Sequence, residues 1–331
     1  MSAPEGRESG PAPEAGGDGA GAREPSIDGA RATESSIDGA RAPGDRPDRP
    51  PWSEFKAALE RAGFHPSRRL GQNFLLDDNM ARAIAGDAGV TPGRFTLEVG
   101  PGCGFLSVHL AHAGARLLCV EIDPRLAPIA RGFLAPYPDA EVIETDVLAS
   151  KSSLAPEVLE RLPREGEWTL CANLPYSISG PFLATVAQLD RPPSRVACLV
   201  QKEVAERLAS EAGDAHWGPL SAAFQEAYEV TLGRSVPPQL FWPRPRVDSA
   251  VFVAELRADL APPQERARRM AFYRDLMQRR RKSLRRVLSD LVGGEPAARA
   301  LEALDLDPLR RAETLSLPEL RALERETRGR V

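Results

Sequence analysis

Four consecutive residues, Asn173, Leu174, Pro175 and Tyr176, could hold an amine carried by an aromatic base. The side-chain oxygen of Asn173 can accept one hydrogen bond from such an amine, and a backbone carbonyl of the turn can accept the second. Pro175 restricts Leu174 to an extended conformation, which points that carbonyl into the site. Tyr176 offers a ring face for stacking a base removed from its helix. Asn and Pro also build ordinary turns, so the surrounding motifs decide between the two interpretations.

A glycine-rich loop lies upstream of this motif. Residues 100–104 (Gly-Pro-Gly-Cys-Gly) join an apolar run, 95–99, to a helical pattern over 105–113. Gly100 and Gly102 allow a sharp turn and the close approach of a ligand, although a strand-to-helix turn without a ligand has the same pattern. Glu121 follows 21 positions after Gly100, at the end of the next apolar run. A carboxylate there accepts hydrogen bonds from ribose hydroxyls, so the expected ligand contains a nucleoside.

Two observations favour S-adenosylmethionine over a nicotinamide as that ligand. The glycine spacing is G-x-G-x-G rather than G-x-G-x-x-G, and Asp146 closes the next apolar run. An acid at this depth can accept from an adenine amino group, although a helix cap or a solvated loop acid explains Asp146 equally well by itself. The amine held by Asn173 is then the methyl acceptor. Its lone pair is delocalised into the ring, so catalysis would consist mostly of positioning.

Alternating strand and helix signals place these motifs along one sheet edge. Apolar runs at 95–99, 116–121, 141–145, 168–172 and 195–200 are separated by helical patterns, which predicts a parallel, doubly wound sheet. Asp123 and Pro124 suit the start of one of the helices. Residues 228–236 and 247–256 follow as strands with no helix between them, so we expect the sheet to end in an antiparallel pair. The chain from residue 262 onward has a helical, Arg-rich pattern.

Composition narrows the class of protein. Residues 1–51 are rich in Gly, Ala, Pro, Glu and Ser, contain a short tandem repeat and are predicted to be disordered. The four cysteines (Cys103, Cys119, Cys171 and Cys198) stand singly in or beside apolar segments, which predicts reduced core residues and no metal. The sequence contains neither a membrane-spanning run nor a secretory signal, so we expect a cytoplasmic protein.

The distribution of charge points to a nucleic-acid partner. The formal net charge is −4, but the first 51 residues carry ten acidic and six basic residues, so the rest of the chain is neutral. Within it, residues 265–290 contain ten Lys/Arg against three acids. Such a run is most often a solvated helix face. The scarcity of nearby acids favours phosphate binding instead, and RNA as the partner.

The sequence also resembles the ribosomal RNA adenine dimethylase family, in its small-subunit branch, over about residues 66–292. Five ordered segments carry the resemblance: 69–75 (RLGQNFL), 98–102 (EVGPG), 173–179 (NLPYSIS), 201–207 (QKEVAER) and 241–249 (FWPRPRVDS). It implies a Rossmann-like class I methyltransferase with a mostly parallel seven-stranded sheet. The domains would be a methyltransferase domain over 52–258, after the tail, and a small helical RNA-binding domain over 259–331.

The resemblance also implies roles for particular residues. The cofactor-binding residues would be Asn73, Leu75, Gly100, Gly102, Glu121, Asp146 and Asn173. The catalytic residues would be Asn173, Leu174, Pro175 and Tyr176, with Phe241 as a second aromatic wall facing Tyr176. Three positions depart from the family pattern: Ser107 and Arg246 stand where the family usually has Thr and Lys, and the unusually bulky Trp242 stands beside the proposed wall at Phe241.

The implied reaction is dimethylation, at N6, of two adjacent adenines near the 3′ end of small-subunit ribosomal RNA. It would take place in an immature 30S-type particle, late in subunit biogenesis, with the protein acting as a monomer. Two alternatives stay open at this point. One is a related enzyme acting on large-subunit ribosomal RNA or on DNA adenine, and the other is an assembly factor for which methylation is secondary.

Overall fold

The computed structural model describes residues 49–67, 70–279 and 282–328. The predicted disordered tail therefore lies outside the described residues, except for residues 49–51. There, Nη1 of Arg49 donates to Oδ1 of Asp78 at 2.9 Å.

The strands include two short antiparallel ladders beside the main sheet. Their bounds are β1 (Phe74–Leu75), β2 (Phe95–Val99), β3 (Arg116–Glu121), β4 (Ala140–Glu144), β5 (Leu148–Ser150), β6 (Ser153–Leu154), β7 (Trp168–Asn173), β8 (Arg195–Gln201), β9 (Tyr228–Val236), β10 (Phe241–Trp242) and β11 (Ser249–Leu256).

The helices lie between the strands and then continue alone to the C-terminus. Their bounds are α1 (Trp52–Arg61), α2 (Asp78–Asp87), α3 (Phe105–His112), α4 (Ala127–Leu134), α5 (Pro156–Leu159), α6 (Ser179–Val186), α7 (Lys202–Leu208), α8 (Pro219–Gln225), α9 (Pro263–Met277), α10 (Leu284–Val292), α11 (Gly294–Ala303) and α12 (Leu317–Thr327).

The main sheet has the order β4-β3-β2-β7-β8-β11-β9. The first five strands in this order pair in parallel, and β11 is antiparallel to both β8 and β9. The predicted parallel sheet with an antiparallel end is therefore confirmed. Because helices return the chain after each parallel strand, the carboxyl ends of β2, β3, β4 and β7 meet at one edge, where open α/β sheets bind ligands.

Alternating side chains of the central strands build a core on each face of the sheet. In β7, Leu170 and Ala172 face the core shared with α6 and α8, whereas Cys171 faces the core shared with α2 and α3. All four cysteines are free and fully buried, as predicted. The sheet is thus covered on both sides, which leaves its carboxyl edge for a site.

The C-terminal helices have a core of their own, built around residues such as Tyr273, Leu288 and Leu320. Trp217 and Ala222, which precede the proposed boundary at residue 258, also contribute to this core. The division into domains at 258/259 accordingly stays a prediction. Across the described residues, no helix combines the length and the apolar character that crossing a membrane requires.

Two local features differ from the sequence prediction. Regular helix α4 begins at Ala127 rather than near Pro124, because Asp123 first closes a turn in which its Oδ1 accepts from the backbone N of Arg125 at 3.0 Å. The pairing of β1 with β10 was not predicted. Two-residue strands have no periodicity to detect, yet this pair joins two of the motif segments.

Candidate functional site

One cleft at the carboxyl edge of the sheet gathers nearly all of the predicted site residues. It encloses about 1000 Å³, including its open mouth. The predicted site residues that line it are Asn73, Leu75, Gly100, Gly102, Glu121, Asp146, Asn173, Leu174, Pro175 and Tyr176.

The glycine loop forms the floor of the cleft with no room for side chains. A β-carbon on Gly102 would lie 2.7 Å from Cε1 of Phe74, and one on Gly100 would lie 3.0 Å from Cγ of Pro175. Both glycines also have positive φ angles, 61° and 68°, which L-residues rarely adopt. The loop therefore requires glycine for two reasons, packing and backbone conformation.

Backbone groups fix the carboxylate of Glu121. Its Oε2 accepts from the backbone N of Gly102 at 2.9 Å, and its Oε1 accepts from that of Asp123 at 2.8 Å. Burial raises the pKa of Glu121 to about 7, although these hydrogen bonds oppose the shift. Each oxygen keeps a second lone pair, so the side chain can still accept from a pair of ribose hydroxyls.

Asp146 lies at the rim of the same cleft and is exposed. Its Oδ1 accepts from the backbone N of Leu148 at 2.9 Å, which holds the start of the β5–β6 hairpin. Asp146 therefore does act as a loop acid that stabilises the turn before β5. This hydrogen bond occupies one carboxylate oxygen and leaves Oδ2 as an acceptor for a ligand.

The side-chain amide of Asn173 is oriented by the opposite wall of the cleft. Its Nδ2 donates to the backbone O of Asn73 at 2.9 Å. Asn73 in turn donates from its own Nδ2 to the backbone O of Gly71 at 3.1 Å. With the donor of Asn173 used in this way, its Oδ1 is available as an acceptor, which is the group that an amine requires.

Tyr176 is held by a residue that our sequence reasoning did not assign. Its hydroxyl lies 2.6 Å from Oγ of Ser249, which is the first residue of β11 and is fully buried. Burial raises the pKa of Tyr176, so it stays neutral at physiological pH. Ser249 ends the 241–249 segment quoted above, and that segment was the only signal pointing to it.

Phe241 is separated from the other predicted residues. It is 3% exposed, packs in the core beside α2 and α3, and pairs with Leu75 across the β1–β10 ladder. It is not among the residues that line the cleft. In this structure Phe241 supports the wall formed by residues 72–75, and its proposed role facing Tyr176 stays a prediction.

A second unassigned residue, Gln72, fastens that wall. Its Oε1 accepts from the backbone N of Ser67 at 2.7 Å, and its Nε2 donates to Oδ2 of Asp123 at 2.8 Å. Hydrogen bonds from Arg125 lower the pKa of Asp123 to about 2, so the acceptor stays ionised. Gln72 thereby ties this wall to Asp123, two residues after the end of β3.

These features together fit an S-adenosyl nucleoside. The fit rests on a Cβ-free floor, a fixed acid for ribose hydroxyls at Glu121 and a rim acid for an adenine amino group at Asp146. Among the described residues, no group of three or more His, Cys, Asp or Glu is placed to hold a metal ion.

Several cations of the basic run that suggested RNA binding have partners within the fold. Arg266 is buried and bonds backbone carbonyls, as at Ala187 O (3.0 Å). Arg268 pairs with Glu324 on α12, and Arg269 pairs with Glu226 after α8. Counting charges along the sequence alone therefore overstated the free positive charge, because acids from distant elements pack against the run.

Comparison with known proteins gives consistent results. The sequence profile of the family described as ribosomal RNA adenine dimethylase matches residues 63–320. Ribosomal RNA small subunit methyltransferase A of Geobacter metallireducens is 38% identical over 274 residues, covering 80% of this chain and 96% of the relative. The protein of that name from Geobacillus thermodenitrificans is 35% identical over 276 residues, covering 81% and 93%.

The fold has solved counterparts as well. The crystal structure of a dimethyladenosine transferase from Plasmodium falciparum has a TM-score of 0.64 to this chain at 21% identity, and the match covers 76% of this chain and 95% of that one. The predicted Rossmann-like class I methyltransferase fold is thus confirmed.

Proposed function

Since this chain belongs to the ribosomal RNA adenine dimethylase family, we propose that it transfers methyl groups from S-adenosylmethionine to N6 of adenine in small-subunit ribosomal RNA. The relatives that carry the small-subunit name match along most of their own length. The observation that carries the proposal is the amide of Asn173, whose donor is bound to Asn73 and whose Oδ1 is left as an acceptor in the cleft.

When bound, S-adenosylmethionine supplies an electrophilic methyl group on its sulfonium. Glu121 and Asp146 would hold its ribose hydroxyls and adenine amino group. Oδ1 of Asn173 accepts one hydrogen bond from the N6 amine of the target, and the backbone O of Leu174 accepts the other. This pair of acceptors directs the nitrogen lone pair towards the methyl group, while Tyr176 stacks on the target base.

The finer points of the function are also proposals. They are dimethylation of two adjacent adenines near the 3′ end of the RNA, an immature 30S-type particle as the substrate, a monomeric enzyme and a cytoplasmic location. Their basis is the resemblance of the five motif segments, four of which contribute residues to the cleft or to its supports.

The test is incubation of the purified protein and labelled S-adenosylmethionine with immature small subunits, large subunits or duplex DNA. We expect label only in the small subunits, at adenines near the 3′ end. Label confined to large subunits or to DNA would overturn the substrate assignment. Absence of label from all three would favour the assembly-factor alternative.

A further inference from the structure

The segment 243–248 links β10 to β11, and the residues at both of its ends contact residues that line the cleft. Before it, the Trp242 ring stacks on Phe74 with the ring centroids 5.8 Å apart. After it, Ser249 holds the hydroxyl of Tyr176. Six residues of chain cannot travel far between such anchors. The segment therefore lies beside the place where we propose that the target base stacks.

Two arginines of this segment are exposed and have no polar partner. Neither Arg244 nor Arg246 makes an ion pair or a side-chain hydrogen bond with any described residue. In the C-terminal basic run, Arg279, Lys282 and Arg286 share the one carboxylate of Asp290, and the exposed side chain of Arg285 has no polar partner among the described residues. Arg244 and Arg246 thus lie two positions apart in one short exposed segment, and neither is paired with a carboxylate among the described residues.

We propose that Arg244 and Arg246 bind the backbone phosphates of the RNA strand that flank the target adenine. The inference rests on the proposed function, because a base that leaves its stack must bring its neighbouring phosphates to the mouth of the pocket. Guanidinium groups bind phosphate oxygens through paired hydrogen bonds. Pro243 and Pro245 limit the backbone freedom around Arg244, so less entropy is lost on binding.

The local charge supports an anionic partner. Asp248 is the single acid of the segment, and its backbone O accepts from the backbone N of Lys202 at 3.0 Å. This contact places the exposed Lys202 next to the segment, and its Nζ lies 3.7 Å from the nearest oxygen of Glu206. The segment and the adjoining Lys202 therefore carry three cations, two of them unpaired among the described residues, against the one carboxylate of Asp248.

The experiment measures binding of unmethylated immature small subunits over a range of KCl concentrations. The variants are R244Q/R246Q, R244K/R246K and the control R164Q. Arg164 is also exposed and without a polar partner among the described residues, but it precedes β7, at the opposite edge of the sheet. Affinity for S-adenosylmethionine alone and thermal melting are measured for each variant.

Each lost phosphate contact to a single strand lowers the salt slope of log K by about 0.7, so R244Q/R246Q should lower it by about 1.4. We expect several-fold weaker binding for this variant, near-normal slopes for R244K/R246K and R164Q, and unchanged cofactor affinity. An unchanged slope in R244Q/R246Q would overturn the inference. So would a loss of cofactor affinity, which would assign the arginines to the carboxylate of S-adenosylmethionine. Wild-type protein that methylates no small subunits would instead reject the proposed function.

Discussion

At the scale of single residues, each polar side chain of the site makes a hydrogen bond to a neighbouring part of the protein that holds it in place. Asn173 donates to Asn73, Glu121 accepts from two backbone N–H groups, and Tyr176 contacts Ser249. Each of these contacts orients a side chain and still leaves an atom for a ligand. Positioning of this kind is the main contribution that a methyl transfer without a strong base requires.

Asn173→Ala removes the proposed amine acceptor and should lower kcat by about 100-fold or more, since misplacement alone can cost that much. Binding of immature small subunits should be largely retained, because the reacting amine is the one RNA group that the proposed mechanism places against Asn173. Single-turnover methylation and subunit binding are measured side by side. Equal loss of both would show that Asn173 is structural.

Glu98 predicts a pH dependence of stability. It is 1% exposed, and burial raises its pKa from an ordinary value of 4.5 to about 7. A carboxyl whose pKa is raised by folding holds its proton more tightly in the folded state. Its contribution to stability is therefore complete below about pH 4.5 and is lost as pH rises through about 7.

Replacement of Glu98 by Gln keeps the shape and removes the ionisation. As pH rises across this window, the free energy of unfolding of wild type should fall, and that of the Glu98→Gln variant should fall by on the order of 3 kcal/mol less. Both proteins are compared without a bound cofactor. Denaturant unfolding at a series of pH values measures the difference. Parallel pH profiles for the two proteins would contradict the assignment.

At the scale of elements, the cleft needs a wall that does not belong to the main sheet. Residues 70–75 supply it, and they are held by the β1–β10 ladder at one end and by Gln72 at the other. Among the described residues, one side-chain hydrogen bond, from Gln72 to Asp123, fastens the wall to the chain that follows β3. It should therefore be more sensitive to substitution than the sheet itself.

Gln72→Ala breaks this link and should weaken binding of S-adenosylmethionine several-fold, since part of the binding energy must then order the wall. The melting temperature should change little, because Gln72 is only partly buried. Calorimetric titration with S-adenosylmethionine provides the measurement. In Gln72→Glu a second carboxylate would face Asp123, so this variant should bind more weakly still. Wild-type affinity in both variants would exclude the fastening role.

At the scale of the whole molecule, one buried carboxylate joins the chain after α8 to the C-terminal helices α9 and α12. Glu226 is 1% exposed and follows α8. It accepts from Arg269 on α9 at 3.0 Å and from Arg321 on α12 at 3.1 Å, and the hydroxyl of Tyr273 also donates to it. Removing its charge would deprive both arginines of a fully buried partner and would leave Arg321 with only the exposed Asp259 among the described residues, whereas Arg269 would keep Glu265.

Glu226→Gln should therefore destabilise the protein by about 3 kcal/mol. The matched control is Glu295→Gln, which breaks an exposed pair with Arg299 and should change stability by less than about 0.5 kcal/mol. Denaturant unfolding of both variants is compared with wild type. Similar values for the two would mean that Glu226 does not join the two parts.

The sequence by itself determined the features that depend on neighbouring residues. Strand β2, the glycine loop and the order of the acids Glu121 and Asp146 follow from local periodicity and spacing, and parallel strands bring their carboxyl ends together. The motif after β7 was assigned in the same way. The glycine at position 102 is also visible in the sequence, and it is required there because the loop packs closely against the ring of Phe74.

Only the tertiary structure decided which distant side chains meet. The contacts between Gln72 and Asp123 and between Tyr176 and Ser249 join positions 51 and 73 apart in the chain. The burial of Phe241 and the pairing of the basic run with Glu226 and Glu324 have the same origin. No local pattern encodes these contacts, because each depends on which elements pack together after the chain has folded.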